Sequence, residues 1–401
     1  MTNTQKFAKI SRPMRIAMIG MKGVPSNLGG IETHVTKLSS RLAGFGYEVI
    51  AYVRSWHTPR SAGAFYDGVR LVRLPSIHTK NLDAITHTFL AVVHALFISR
   101  PDIYHFHGVG PSLLAWMPRV FAPKARVVST FHCLDRNHGK WGQFAKFMLR
   151  LGEWASCAFA HNTIVISKNL RTYVQLEYGC AATFIPYGVT SQPGTVDSLL
   201  LQPFGLEPYR YIAMVSRLVP HKSAHTLIRA WQKARTKRPD VLGDMKLALI
   251  GGSSFTDAYV ASLRNMAQGD RSIVFTDFQG GDTLRALFQG ASFIAHPSLS
   301  EGFSISILEA MSYGKAVLAA DIPENMEAVR DHGVHFEAGN EDDLAQKIIE
   351  LAADPMRAAA IGHVARAYVE HDHNWDDVAR KTAAVYECIP REIPQGVLAV
   401  R

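Results

Sequence analysis

The 401 residues are 47% hydrophobic and 19% charged, an ordinary globular composition with material for two or three domains. The four cysteines, Cys133, Cys157, Cys180 and Cys388, form no CxxC pair, which argues against a disulfide framework or a zinc site and for a reducing compartment. The net charge of +9 is uneven: residues 1–190 carry 22 Lys and Arg against 8 Asp and Glu, and residues 191–401 carry 21 against 26. The basic part either attracts an anionic partner or simply keeps the chain in solution.

After a polar, basic lead with no signal-peptide core, RIAMIG (15–20) predicts a strand. GIETHVTKLSSRLAGFG (30–46) predicts a helix, with Ile31, Val35, Leu38 and Leu42 at helical spacing. EVIAYVR (48–54) and VRLVRLP (69–75) follow as strands, then a helical stretch from 81 to 99. Within it HTFLAVVHALFIS (87–99) is too short to span a membrane and carries His87 and His94. DIYHFHG (102–108), ARVVSTFH (125–132), a helix over 142–160 and NTIVISK (162–168) continue the alternation.

ATFIPYGVTSQPG (182–194) reads as a last strand running into a linker, punctuated by Pro186, Gly188, Pro193 and Gly194. The pattern then restarts with YRYIAMVSR (209–217), a helix over 225–237, MKLALIGG (245–252), SIVFTDF (272–278), ASFIAHPS (291–298) and KAVLAAD (315–321). Two such series predict an α/β chain of two doubly wound, Rossmann-like domains facing a cleft, over residues 1–190 and 191–374. Ligands of such sheets bind beyond the carboxyl ends of the strands.

One strand end carries the chemistry. The run HPSLSEGFSISILEAMSYG (296–314) places SEGFS between a strand and a helix that starts near Ser304 and stops at Gly314. Free N–H groups at that start, with Gly302 allowing close approach, suit a phosphate or pyrophosphate. Glu301 lies beside them, and Glu309 lies about a turn and a half into the helix. A carboxylate accepting two hydroxyl bonds clamps a sugar or ribose diol. The bland alternative makes Glu301 a dipole charge and Glu309 a surface residue.

This segment closely resembles the E-x7-E signature of the GT4 glycosyltransferases, retaining enzymes of the GT-B fold. The resemblance implies that Glu301 contacts the donor sugar, Glu309 the nucleotide ribose, and the Gly302, Phe303 and Ser304 backbone the diphosphate. VSRLVPHKSAHTLIRAW (215–231) resembles the family's R-x4-K element, whose cations map to Arg217 and Lys222. Such cations neutralise charge on a departing diphosphate. The commoner form has an acidic residue before the lysine and a glycine after it, where His221 and Ser223 stand here.

MIGMKGVPSNLGGIETHV (18–35) resembles the family's glycine-rich first loop, with Gly29 and Gly30 near the donor phosphate and Glu32 either facing the acceptor or favouring the helix dipole. Its wording resembles a bacterial subgroup labelled rhamnosyltransferase-like. By resemblance, His107 lies near the donor sugar, often with a second histidine at the His132 position, whereas His105 packs within the sheet. No D-x-D element stands out. Glu341, Asp342 and Asp343 open an acidic helix, and the implied chemistry is metal-independent with no cofactor.

The resemblance also implies a nucleotide-sugar donor in the second domain and a glycan or lipid-linked acceptor in the first, with the helix around 375–389, the start of a 375–401 tail, crossing back to the first domain. RNHGKWGQFAKFMLRLGEWASCAFA (136–160) interleaves Lys140, Lys146 and Arg150 with Trp141, Phe144, Phe147, Met148 and Leu151. It reads either as a core helix with a basic outer face or as a peripheral anchor on an anionic membrane. The expected place is the cytoplasm or, as a peripheral protein, the inner face of the cell membrane, with no nucleic-acid partner. Two other functions stay open: a Rossmann oxidoreductase, which lacks a G-x-G-x-x-G here, and a non-catalytic nucleotide-sugar-binding module.

Overall fold

The computed structural model describes residues 12–26, 29–79, 82–137, 142–190, 194–254 and 256–388. The basic lead, Asn27 and Leu28 of the first loop, Lys140 and Trp141, and Ser191 to Pro193 of the linker lie outside the described residues.

Unit 1 takes Met1–Ile166, Leu170–Ile185 and Trp375–Arg401, and unit 2 takes Ser167–Asn169 and Pro186–Asn374. The boundary at Ile185 precedes the expected 190 because the next residues bond to the end of unit 2. His373 Nδ1 lies 2.9 Å from the Tyr187 carbonyl, and the Val189 N–H donates to the His373 carbonyl at 2.7 Å.

The unit 1 strands are β1 (Arg15–Ile19), β2 (Glu48–Arg54), β3 (Phe65–Tyr66), β4 (Val69–Leu74), β5 (Ile103–His107), β6 (Arg126–Phe131), β7 (Asn162–Val165) and β8 (Thr183–Phe184). They form one sheet in the order β3-β4-β2-β1-β5-β6-β7-β8, parallel throughout except for the β3–β4 pair. Unit 2 has β9 (Tyr211–Val215), β10 (Lys246–Ile250), β11 (Ile273–Asp277), β12 (Ile294–His296), β13 (Val317–Ala320) and β14 (Val334–Phe336). Their order is β11-β10-β9-β12-β13-β14, all parallel. The central strands read as continuous apolar runs because helices cover both faces of a parallel sheet.

Each sheet reverses its strand order at one place, beside β1 in unit 1 and beside β9 in unit 2. Crossovers on either side of such a point leave a crevice at the strands' carboxyl ends. The helices that matter here are α1 (Gly30–Gly44), α2 (Asp83–His94), α3 (Gln143–Ala158), α4 (Ala224–Lys237), α5 (Ile305–Ser312), α6 (Glu341–Ala353) and α7 (Trp375–Cys388).

Helix α7 belongs to the unit 1 core. Trp375, Val378 and Tyr386 join Val35 and Leu38 of α1 in one apolar cluster. Arg41 pairs with Asp376 at 2.8 Å, and the Tyr386 hydroxyl lies 2.7 Å from His105 Nδ1. Removing a large aromatic from such a cluster costs the transfer energy plus a cavity. Trp375→Ala is expected to destabilise unit 1 by about 3–5 kcal/mol, read as a lower denaturation midpoint. An unchanged midpoint would show that α7 is dispensable to unit 1.

Candidate active site

Unit 2 gathers its charged residues at the switch point. After β9 the chain passes Arg217 and turns through Pro220–Lys222, and after β12 it runs into the loop holding Glu301. The Leu299 N–H donates to the His221 carbonyl at 2.9 Å, which ties these segments together. Lys222 Nζ and the Glu301 carboxylate then form a tight ion pair, and His296 Nε2 lies 2.8 Å from the same carboxylate oxygen.

The Glu301 side chain is only 8% exposed. Burial alone would raise its pKa, but the Lys222 charge and the His296 hydrogen bond outweigh that and hold it well below the usual carboxylate range. Burial lowers the pKa of His296, against the pull of Glu301. An ionised carboxylate only accepts, so a neutral His296 carries its proton on Nε2. Ser304 Oγ lies 3.1 Å from that nitrogen and 3.1 Å from Ser306 Oγ.

Ser304 is the N-cap of α5 in extended conformation, yet its side chain makes no capping bond. The N-cap side chain therefore leaves the first amides of α5 uncapped, the arrangement that receives an anion. Phe303 is spent on packing, its ring 6.2 Å from that of Tyr187 and 6.0 Å from that of His373, so only its backbone is available to a ligand. Gly302 and Glu309 are half-buried, and Glu309 lies along α5 beside Tyr313, where its charge helps burial to raise that phenol's pKa to about 12. Arg217 is exposed. Its loop is pressed against β10, since a Cβ on Gly251 would meet the Ser216 carbonyl at 1.8 Å.

The expected turn after Lys222 forms without its glycine. Ser223 takes φ +54 and ψ +37, the left-handed region that glycine adopts with least strain. Glu341, Asp342 and Asp343 open α6, where Asn340 accepts from the Asp342 and Asp343 amides and Glu341 pairs with Arg229 and Lys233.

Unit 1 handles its expected residues differently. Gly29 is extended, and Gly30 opens α1. The Glu32 carboxylate folds back, accepting from the Lys22 amide at 3.2 Å, and a Cβ on Gly29 would sit 2.7 Å from Glu32 Oε2. Glu32 is thus buried and braces the loop, and Gly29 makes room for it. His107 is interior rather than at a ligand-facing surface: it is 1% exposed, with Nδ1 3.2 Å from His132 Nε2 and Nε2 3.4 Å from Met18 Sδ. The cause is strand alternation, which puts His107 on the side of His105. His34 of α1 closes over the pair His107 and His132, with ring centroids at 5.9 and 5.3 Å, and Trp375 packs on His34. His105 is satisfied by Tyr386 and Thr130 at 2.7 Å each.

His296 is the site residue that the sequence reading passed over. Its signal is a histidine ending a strand five positions before Glu301, too common alone to be singled out. Helix α3 buries Gly152, Glu153, Ala155 and Ser156 and exposes Arg150, as a core helix with a basic outer face does, but it also leaves aromatics in water. Its exposed residues include Phe144 at 77%, Phe147 at 58% and Trp154 at 48%, beside an exposed Arg150.

Known proteins are similar to this chain over most of its length. Residues 28–192 match the family described as Glycosyltransferase Family 4, and residues 209–354 match Glycosyl transferases group 1. A GDP-mannose-dependent phosphatidylinositol monomannoside mannosyltransferase of Mycobacterium tuberculosis is 27% identical over 391 residues, covering 90% of this chain and 94% of the relative. A D-inositol 3-phosphate glycosyltransferase of Streptomyces avermitilis is 26% identical over 417 residues, covering 94% and 88%. Among solved structures, HepE of Anabaena with UDP and glucose superposes with TM-score 0.76 at 20% identity, covering 93% of this chain and 99% of its own. WaaG, a glycosyltransferase of lipopolysaccharide biosynthesis, gives 0.70 at 16%, covering 93% and 100%. The fold is GT-B.

Two outcomes follow from this geometry. Burial pushes His34 and His105 down to about 3 and His107 and His132 well below the normal value. All four are neutral when folded and gain protons on unfolding below about pH 6.5. Stability is therefore complete above that pH and falls as pH drops, by about 1.4 kcal/mol per histidine between pH 7.5 and 5.5. Urea midpoints at the two values measure it, and equal midpoints would contradict neutral buried histidines. Separately, Ser223 is fully buried with an unpaired hydroxyl. Ser223→Gly removes both that group and the left-handed strain, and is expected to stabilise unit 2 by about 1 kcal/mol, seen as a raised midpoint.

Proposed function

We propose that this chain, a glycosyltransferase of the GT-B type, is a retaining enzyme of the rhamnosyltransferase-like kind. In this reading it moves a hexosyl or deoxyhexosyl unit from a nucleotide sugar to a glycan or lipid-linked acceptor in bacterial surface polysaccharide synthesis. The observation that carries the donor half is the buried Glu301 carboxylate, held by Lys222 and His296 at the uncapped start of α5.

The diphosphate takes the α5 amides and the Lys222 ammonium, with Arg217 as second cation. Glu301 receives hydroxyls of the sugar and Glu309 those of the ribose. As the glycosidic bond to phosphate breaks, negative charge grows on the leaving oxygen, and fixed cations stabilise that change more than they stabilise the ground state. Lys222, Arg217 and the helix start supply this charge, so the reaction is read as metal-independent and cofactor-free. Retention follows if the acceptor attacks on the face the diphosphate leaves, without a covalent intermediate.

Unit 1 would bind the acceptor, with His107 and His132 as its buried, neutral support. The exposed aromatics of α3, beside Lys146 and Arg150, favour contact with an anionic membrane on the cytoplasmic side. Among the described residues, no helix is long and apolar enough to cross a membrane.

The test is calorimetric titration with UDP, GDP, dTDP and ADP, with and without EDTA. One nucleoside diphosphate is expected to bind regardless of chelator, about 10-fold or more weaker in Glu309→Ala. Turnover is expected to fall on the order of 10²-fold in Lys222→Ala, and product NMR would report retained anomeric configuration. Binding of NAD(H) in place of every nucleoside diphosphate would overturn the transferase in favour of an oxidoreductase.

A further inference from the structure

Unit 1 carries two neighbouring hollows that the donor chemistry does not use. One is a trough of about 520 Å³ in which Pro75, Ile77, Ile85, Phe89, Leu90 and Leu114 supply the apolar lining. The other, of about 490 Å³, is lined by Ser55, Trp56, Arg60 and Arg73. Both volumes lie in the range of about 300–1,000 Å³ typical of small-ligand sites.

They occur where ligands of a parallel sheet bind. Ser55 and Trp56 directly follow β2, and Pro75 to Ile77 directly follow β4, so both hollows sit at carboxyl ends of adjacent strands. One ion-pair network holds them side by side. Arg54, the last residue of β2, pairs with Asp83 at the start of α2 at 2.5 Å, and Ser76 hydrogen-bonds the same carboxylate. The Trp56 side chain also bonds Asp83, and its ring lies 5.1 Å from that of His78. Trp56 and His78 thus bridge the apolar trough and the arginine hollow.

The two halves differ in chemistry. Trp56, Ile77, Phe89 and Leu90 leave 47%, 53%, 48% and 36% of their surface in water, more clustered apolar exposure than isolated surface residues give. Arg73 donates to the Gly63 and Pro59 carbonyls, and neither Arg73 nor Arg60 pairs with a carboxylate among the described residues. Two uncompensated guanidiniums beside an apolar trough complement a molecule with an aliphatic chain and an anionic, phosphate-bearing head.

We infer that the carboxyl ends of β2 and β4 form the acceptor site, and that the acceptor is an amphiphile whose aliphatic chain lies in the Ile77–Leu90 trough and whose phosphate meets Arg60 and Arg73. This rests on the transferase reading, since it names the acceptor of that reaction.

The probe is farnesyl phosphate below its micellar concentration, titrated calorimetrically into the full chain beside farnesol and inorganic phosphate. The phosphate is expected to bind saturably, with a dissociation constant of tens of micromolar on the order set by ligand size. Farnesol and inorganic phosphate are each expected to bind at least about 10-fold more weakly. Ile77→Asp and Arg60→Ala, both at exposed positions, are each expected to weaken farnesyl phosphate about 10-fold or more while nucleoside diphosphate binding stays unchanged.

Absent binding, binding indifferent to both variants, or inorganic phosphate binding as tightly would overturn the site. Intact nucleoside diphosphate binding in the same samples would confine that failure to the acceptor. Loss of all nucleotide binding would overturn the transferase, and the acceptor role with it.

Discussion

A carboxylate taken out of water must be paired, and Glu301 is the buried charge around which unit 2 arranges its chemistry. Leaving such an ion unpaired costs several kcal/mol. Its partners come from two separate segments, Lys222 after β9 and His296 at the end of β12. These strands are neighbours only because the sheet reverses its order beside β9. The switch point is therefore what makes the pair possible, and the pair in turn fixes the loop that delivers the start of α5. A donor whose diphosphate claims Lys222 would exchange one anion for another, with His296 still holding Glu301.

The alternation of strands and helices was legible because both faces of each sheet are covered. That makes β1, β5, β9 and β12 apolar runs, between helices of 3.6 periodicity. Glu301, Lys222 and Ser304 were legible because a helix start beside a strand end is a local pattern. His107 was not legible as an interior residue: what encloses it is His34, itself backed by Trp375, more than 260 residues away from His107. His296 escaped for the opposite reason, since it is close in sequence but its role depends on where the Glu301 carboxylate turns. The αL turn at Ser223 shows that a glycine position can persist without glycine where surrounding bonds hold it, here from the Thr226 and Leu227 amides to its carbonyl.

The two units apply one architecture to opposite electrostatic problems. At its switch point unit 2 keeps charge in the interior and neutralises it locally, which suits a ligand with a concentrated negative charge. At the corresponding point unit 1 buries four neutral histidines. Rings stacked this closely repel one another when protonated, so they serve as uncharged packing and leave no interior charge to attract a phosphate. Unit 1 instead carries its positive charge at the rim, on Arg60 and Arg73, next to exposed apolar side chains. Rim charge beside an apolar trough selects molecules that carry both characters, and discriminates against a free nucleotide that carries only one. Of the Lys and Arg excess in residues 1–190, Arg60 and Arg73 would face a ligand whose anionic head stays near water while its chain leaves it.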